Sequence, residues 1–286
     1  MSDPVPAVVS TDWLAGRLGR PGVVVVDGST YLPTSGRDAA AEYAAGHLPG
    51  AVFFDIEATS DPDSPLPHML PSPDAFAARM TALGIGDDDH VVVYDGSGVN
   101  LSAPRVWWML RAMGHDRVSV LDGGSGKWRR EGRPVETGVV SRPPARFTPR
   151  PRHGRVRDLA AMRGLLGGGA EQVVDMRSAG RFAGTEPEPR PGLRGGHIPG
   201  SRNLPFHELV AADGTVLPIE RLRARVAAAG IEPGRPVVAT CGSGVSACAL
   251  VLALHLLGRD DVALYDGAWT EWGGRGDTPV ATGAAS

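Results

Sequence analysis

The chain has 286 residues, 42% of them hydrophobic and 21% charged, with a formal net charge of −3: enough for one large domain or two ordinary ones, with no basic field for nucleic acid and no polyacidic tail. No apolar run approaches membrane-spanning length, and residues 1–6 have neither the basic region nor the apolar core of a signal peptide. Two cysteines exclude a disulfide framework, so the expectation is a soluble, cytoplasmic protein that binds no nucleic acid and no membrane.

In chain order, the valine run over 23–27 predicts a strand and 38–45 a helix. A second helix is predicted over 73–83, opened by Ser72 as N-cap. A strand over 91–94, a helix over 104–113 and a strand over 118–121 follow. Residues 133–157 are rich in proline and arginine and read as a surface linker rather than a polyanion site. Beyond it come a strand over 173–175, a helix over 220–229, a strand over 236–240, a helical apolar run over 248–257 and a strand over 262–265. The small, polar stretch 277–286 reads as frayed. Short continuous apolar strands alternating with helices predict an α/β fold with mainly parallel sheets flanked by helices.

The chain also repeats itself. Gly46-His47-Leu48-Pro49-Gly50 matches Gly196-His197-Ile198-Pro199-Gly200. The stretch from Val91 to Gly98 matches that from Val237 to Gly244, and Leu121-Asp122-Gly123 with Trp128 matches Tyr265-Asp266-Gly267 with Trp272. His47 and His197 stand 150 residues apart, Asp95 and Cys241 146, Asp122 and Asp266 144. A shared order at such offsets predicts two copies of one domain, at 1–135 and 157–286 with the linker at 136–156, not a solenoid. Both copies carry the histidine signature, so His47 and His197 read as structural turns.

The copies differ at a position that bears on chemistry. Where the second has Cys241, the first has Asp95, which predicts a single active site per chain. Cys241 leaves a strand, enters a loop of small residues, Gly242-Ser243-Gly244-Val245-Ser246-Ala247, and precedes a helix. Backbone amides and the helix N-terminus favour negative charge there, which stabilises a thiolate, the reactive form of cysteine. A buried inert cysteine needs none of these glycines and serines; Cys248, inside the apolar helix, reads as core. A phosphatase loop of this shape needs an arginine six positions after the cysteine, where this chain has Ala247. No metal is implied, because two cysteines without a nearby histidine pair make a poor zinc site.

These motifs, with Gly180-Arg181 through Pro189-Arg190 and Trp269-Thr270-Glu271-Trp272-Gly273, make the chain resemble the tandem-domain rhodanese-family sulfurtransferases, most closely the 3-mercaptopyruvate type. The resemblance covers nearly the whole chain and implies two rhodanese-like domains without a cofactor. It implies a Cys241 persulfide that carries sulfur from 3-mercaptopyruvate to a thiol, such as thioredoxin or a small thiol, or to cyanide. Gly242, Gly244, Val245 and Ser246 then form the donor-binding loop, and Arg181 and Arg190 the carboxylate-binding arginines. His68 forms a relay with Ser243 and with Asp55 or Glu57, between which the sequence does not decide. Thiosulfate-preferring members carry cations just after the cysteine, whereas Gly242-Ser243-Gly244 is uncharged. The alternatives are a thiosulfate:cyanide sulfurtransferase and a carrier or regulatory module that holds a persulfide without turnover.

Overall fold

Valine-rich strands without polar alternation need cover on both faces, and they have it in the computed structural model, which describes residues 5–284. Two five-stranded, wholly parallel sheets form. The first contains β1 (Val8–Val9), β2 (Val23–Asp27), β3 (Val52–Phe53), β4 (His90–Tyr94) and β5 (Val118–Leu121), in the order β1-β5-β4-β2-β3. The second contains β6 (Val156–Arg157), β7 (Gln172–Asp175), β8 (Arg202–Asn203), β9 (Val237–Thr240) and β10 (Val262–Tyr265), in the order β6-β10-β9-β7-β8. The two orders match strand for strand, as the sequence repeat requires. From β2 the chain proceeds to one side of its sheet and from β4 to the other, and β7 and β9 do the same. The carboxyl ends of each central pair therefore flank a topological switch point, where open α/β sheets place their ligands.

The chain folds into two compact units that are not contiguous in sequence. The first takes residues up to Pro62, Leu70–Arg152 and Ala211–Val216; the second takes Asp63–Met69, His153–Val210 and the chain from Leu217 onward. Ala211–Val216 is tied into the first unit where Val216 N donates to Asp122 Oδ1 (2.8 Å) and Asn100 Nδ2 to Gly214 O (3.1 Å). The proline- and arginine-rich stretch is pinned along the same unit. Ala145 N donates to Thr81 O, Asp87 N to Arg146 O, and Arg150 N to Met113 O. Proline removes donors and fixes φ, so this stretch runs without helix or strand up to a 3₁₀ turn at His153–Arg155, after which β6 joins β10.

Each repeated signature closes a turn. His47 Nδ1 donates to Tyr43 O (3.0 Å) with its ring stacked on Tyr43. His197 does the same with Phe182 O (2.9 Å) and the Phe182 ring. The C-terminal stretch departs from the expected fraying. Thr278 is buried, Trp272 Nε1 donates to Pro279 O (2.7 Å), and Ala281 pairs with His197 as an isolated bridge. Residues 1–4, 285 and 286 lie outside the described residues.

Asp95 ends up fully buried at the end of β4, with both carboxylate oxygens engaged. Oδ1 accepts from Ser97 N (2.8 Å) and Ser97 Oγ (2.5 Å); Oδ2 accepts from Ser102 N and Ala103 N, both at 2.8 Å. The last two amides open the helix Ala103–Ala112, whose first N–H groups have no partner within the helix. Asp95→Ala strands these donors and is expected to cost about 3 kcal/mol of stability, since each unmade buried hydrogen bond costs roughly 1–3 kcal/mol. Urea denaturation followed by tryptophan fluorescence measures this, and Asp95→Asn, which keeps an acceptor, should lose less.

Candidate active site

Cys241 follows the last residue of β9 and is 2% exposed. The loop 242–247 then leads into the helix Cys248–Leu256, whose first seven residues are all buried. Gly244 sits at φ 76°, in the left-handed region that favours glycine. The carbonyls at the head of the loop are anchored: Cys241 O accepts from Trp269 N and Gly242 O from Thr270 N, both at 2.9 Å. The amides are not. Those of Gly242, Ser243, Val245, Ser246 and Ala247 find no acceptor among the described residues. A loop with fixed carbonyls and open amides beside a cysteine is a cradle for negative charge. Cys248 is fully buried, with its Sγ 3.4 Å from Gly244 O.

Two guanidiniums reach this loop. Arg181 lies on the helix Ala179–Ala183, capped by Ser178. A Cβ on Gly242 would stand 2.8 Å from Arg181 Nη2, so only glycine admits the arginine this closely. Arg190 Nη1 is 3.5 Å from Ser243 Oγ. His68 belongs to the second unit through Asp63–Met69. It is buried, and its Nδ1 donates to Ser243 O (3.1 Å). Its φ of 62° is rare for a residue with a side chain, and such strain concentrates at functional sites. Asp55 and Glu57 lie in the first unit, where Asp55 Oδ1 accepts from Ala58 N (3.1 Å).

Behind Arg181 stands a network that the motifs did not single out. Glu188 Oε2 holds Arg181 Nη2 and Glu188 Oε1 holds Arg177 Nη1, both at 2.6 Å. Arg177 also donates to Asp175 Oδ2 (2.6 Å) and Gly196 O (2.7 Å), and its guanidinium lies 4.2 Å over the Trp269 ring. The Arg177 side chain is 0% exposed and that of Glu188 2%. Burial works against the Arg177 charge, but the carboxylates of Asp175 and Glu188 outweigh it and hold the guanidinium above its ordinary range. Only the position of Glu188 inside the 180–190 motif hinted at this role. In sequence, Arg177 looks like any surface arginine.

The rhodanese-like domain family matches residues 10–131 and again 158–275. The chain belongs to the rhodanese-like family. It is 44% identical to 3-mercaptopyruvate sulfurtransferase of Homo sapiens over 272 residues, 93% of this chain and 91% of that protein. It is 46% identical to thiosulfate sulfurtransferase of Bos taurus over 274 residues, again 93% and 91%. The crystal structure of a 3-mercaptopyruvate sulfotransferase from Escherichia coli superposes with a TM-score of 0.85 at 41% identity, covering 93% of this chain and 99% of that one. As a rhodanese-like protein with such relatives, the chain is an enzyme of the sulfurtransferase class.

Glu188→Ala leaves Arg177 with one carboxylate and Arg181 with none of this network. Removing one partner of a buried ion pair costs about 3–5 kcal/mol, so urea denaturation should show a loss of that size. Glu188→Gln, which keeps the shape and one acceptor oxygen, should lose less.

Proposed function

We propose that the chain transfers sulfur from 3-mercaptopyruvate through a persulfide on Cys241 to a thiol or cyanide, releasing pyruvate. The observation that carries this reading is the uncharged cysteine loop with open amides, met by Arg181 at Gly242 and by Arg190 at Ser243. Two guanidinium forks suit a planar carboxylate with an adjacent carbonyl. The anion-favouring loop suits a thiolate.

In the first half-reaction the Cys241 thiolate forms a bond to the donor sulfur as the carbon–sulfur bond breaks. The bonding electrons leave as the enolate of pyruvate. The donor's thiol proton ends on the methyl carbon, passed through Ser243 and His68. A cysteine persulfide anion remains, held by the amides of Gly242, Ser243, Val245 and Ser246, with Gly244 supplying the bend. In the second half-reaction an acceptor thiolate or cyanide takes the outer sulfur and restores the Cys241 thiolate. Splitting transfer into two displacements is ordinary covalent catalysis. The acceptor is thioredoxin, a small thiol or cyanide, and the proposed setting is the cytoplasm.

The thiosulfate sulfurtransferase relative from Bos taurus favours thiosulfate as a second donor. A dianion needs more positive charge than this loop offers, because no charged side chain lies in 242–247 and Glu188 offsets the charge of Arg181. Steady-state assays of both donors, with cyanide and with a thiol, decide between them. The expected result is a higher kcat/KM for 3-mercaptopyruvate and no turnover by Cys241→Ser. Activity in the serine variant would sink the mechanism. Persulfide on Cys241 by intact mass without turnover would point to a carrier. Arg181→Ala and Arg190→Ala should each lower kcat/KM for 3-mercaptopyruvate at least tenfold, about 1.4 kcal/mol of lost transition-state binding. An equal loss with thiosulfate would argue against recognition of the carboxylate.

A further inference from the structure

The first unit keeps a cleft of its own at the carboxyl ends of β2 and β4, the switch point that in the second unit carries Cys241. Its volume is about 380 Å³, and Asp27, Ser29, Tyr31, Glu42, Ser125 and Arg129 are among the residues that line it. The nucleophile is gone, because Asp95 is consumed by its own loop. The rest has been rebuilt rather than filled. Gly96 stands where the second unit has Gly242, and a Cβ on it would meet Tyr31 Oη at 2.7 Å, where the second unit presents Arg181. Glu42 precedes the ring stacked on His47 as Arg181 precedes the ring stacked on His197. The charge at that place is thus reversed, and it is answered locally: Glu42 Oε2 pairs with Arg37 Nη2 (2.5 Å) and accepts from Tyr31 Oη (2.8 Å).

Two polar side chains of the cleft form no ion pair and no side-chain hydrogen bond to each other. Arg129 donates to Gly46 O but pairs with no carboxylate among the described residues. Ser125 is 8% exposed, yet its hydroxyl makes no hydrogen bond among the described residues. The Ser125 oxygen is not sealed off from solvent and faces the cleft that the residue lines. Ser125 and Arg129 lie four apart on the helix Gly124–Arg130 and so share one face of it. Arg37 and Arg129 both act on Glu42, and two guanidiniums around that one carboxylate, beside an open hydroxyl, suit a monoanion. Glu42 and Asp27, in the same lining, disfavour a dianion.

We propose that this cleft binds a small organic carboxylate, held by the Arg129 guanidinium and the Ser125 hydroxyl, as a second ligand site distinct from the Cys241 loop. The test is an NMR titration of the full chain with pyruvate as the carboxylate probe, in which the amides of 125–130 and of 242–247 report the two places separately. Saturable shifts are expected at 125–130. Arg129→Ala should weaken them about tenfold, the worth of one charge-assisted hydrogen bond, and Ser125→Ala should weaken them less. Sulfur transfer should stay within about twofold of the parent in both variants, since neither residue touches the cysteine loop. Inorganic phosphate should leave 125–130 unshifted. The proposal is overturned if pyruvate shifts only 242–247, if the response at 125–130 survives Arg129→Ala, or if phosphate evokes it equally. The titration reads binding without turnover, so it stands or falls separately from the sulfur-transfer assay.

Discussion

A strand that ends at the centre of a parallel sheet and turns directly into a helix leaves a row of backbone N–H groups with no helical acceptor. Left unpaired away from water, each such group costs about 1–3 kcal/mol, so the turn demands an anion, a carboxylate or water. The two units of this chain answer the same demand in opposite ways. Asp95 folds its carboxylate onto Ser97, Ser102 and Ala103 and closes the account within the chain. Cys241 does not, and the amides of its loop stay open. The open cradle is the less stable arrangement, and it is the one with something to offer a ligand.

The cradle's selectivity depends on what stands around it. Arg181 approaches Gly242 because glycine has no Cβ to block it, and it is held there through Glu188 by a buried arginine that no solvent reaches. Buried ion pairs contribute little net stability against apolar packing, while breaking one is costly. Asp175, Arg177 and Glu188 are therefore better understood as fixing one geometry for Arg181 than as strengthening the fold. Trp269 joins the two structures: its ring lies against Arg177 and its amide anchors Cys241 O. One residue thus touches both the buried network and the loop.

The central strands were legible because short runs of two to four consecutive valines among apolar residues have few other places to go, and the duplication was legible because its signatures recur in order. The edge strands β1, β3, β6 and β8 were not, since two residues carry no periodicity. The exchange of segments between units was legible only in part: the resemblance brought His68 to Ser243, but nothing pointed to residues 211–216. The loop with His68 lies in the sequence of the first copy but packs with the second unit, and residues 211–216 do the reverse; such pairings depend on contacts far apart in sequence. The C-terminal stretch looked frayed because its residues are small and polar, yet hydrogen bonds from Trp272 and the His197 bridge hold it. Around Cys241, the motif residues Arg181 and Arg190 do come together at Gly242 and Ser243, and His68 at the Ser243 carbonyl. Arg177 and Glu188 escaped notice because charge alone suggests a surface position, and only burial reveals the opposite.

Duplication makes the chain its own control. Sheet order and histidine turns are held constant between the units, so the differences at Asp95/Cys241 and Glu42/Arg181 can be read as chemistry rather than as divergence of fold. Exchanging the thiol for a carboxylate satisfies the loop from within and removes the nucleophile in one step. Exchanging the arginine for a glutamate then requires a new cation, which Arg37 supplies. Each change was compensated next to where it occurred, so the scaffold did not need to collapse around the lost site. A cleft whose polar groups have been re-paired rather than buried, with the Ser125 hydroxyl still open, is what such local compensation leaves behind.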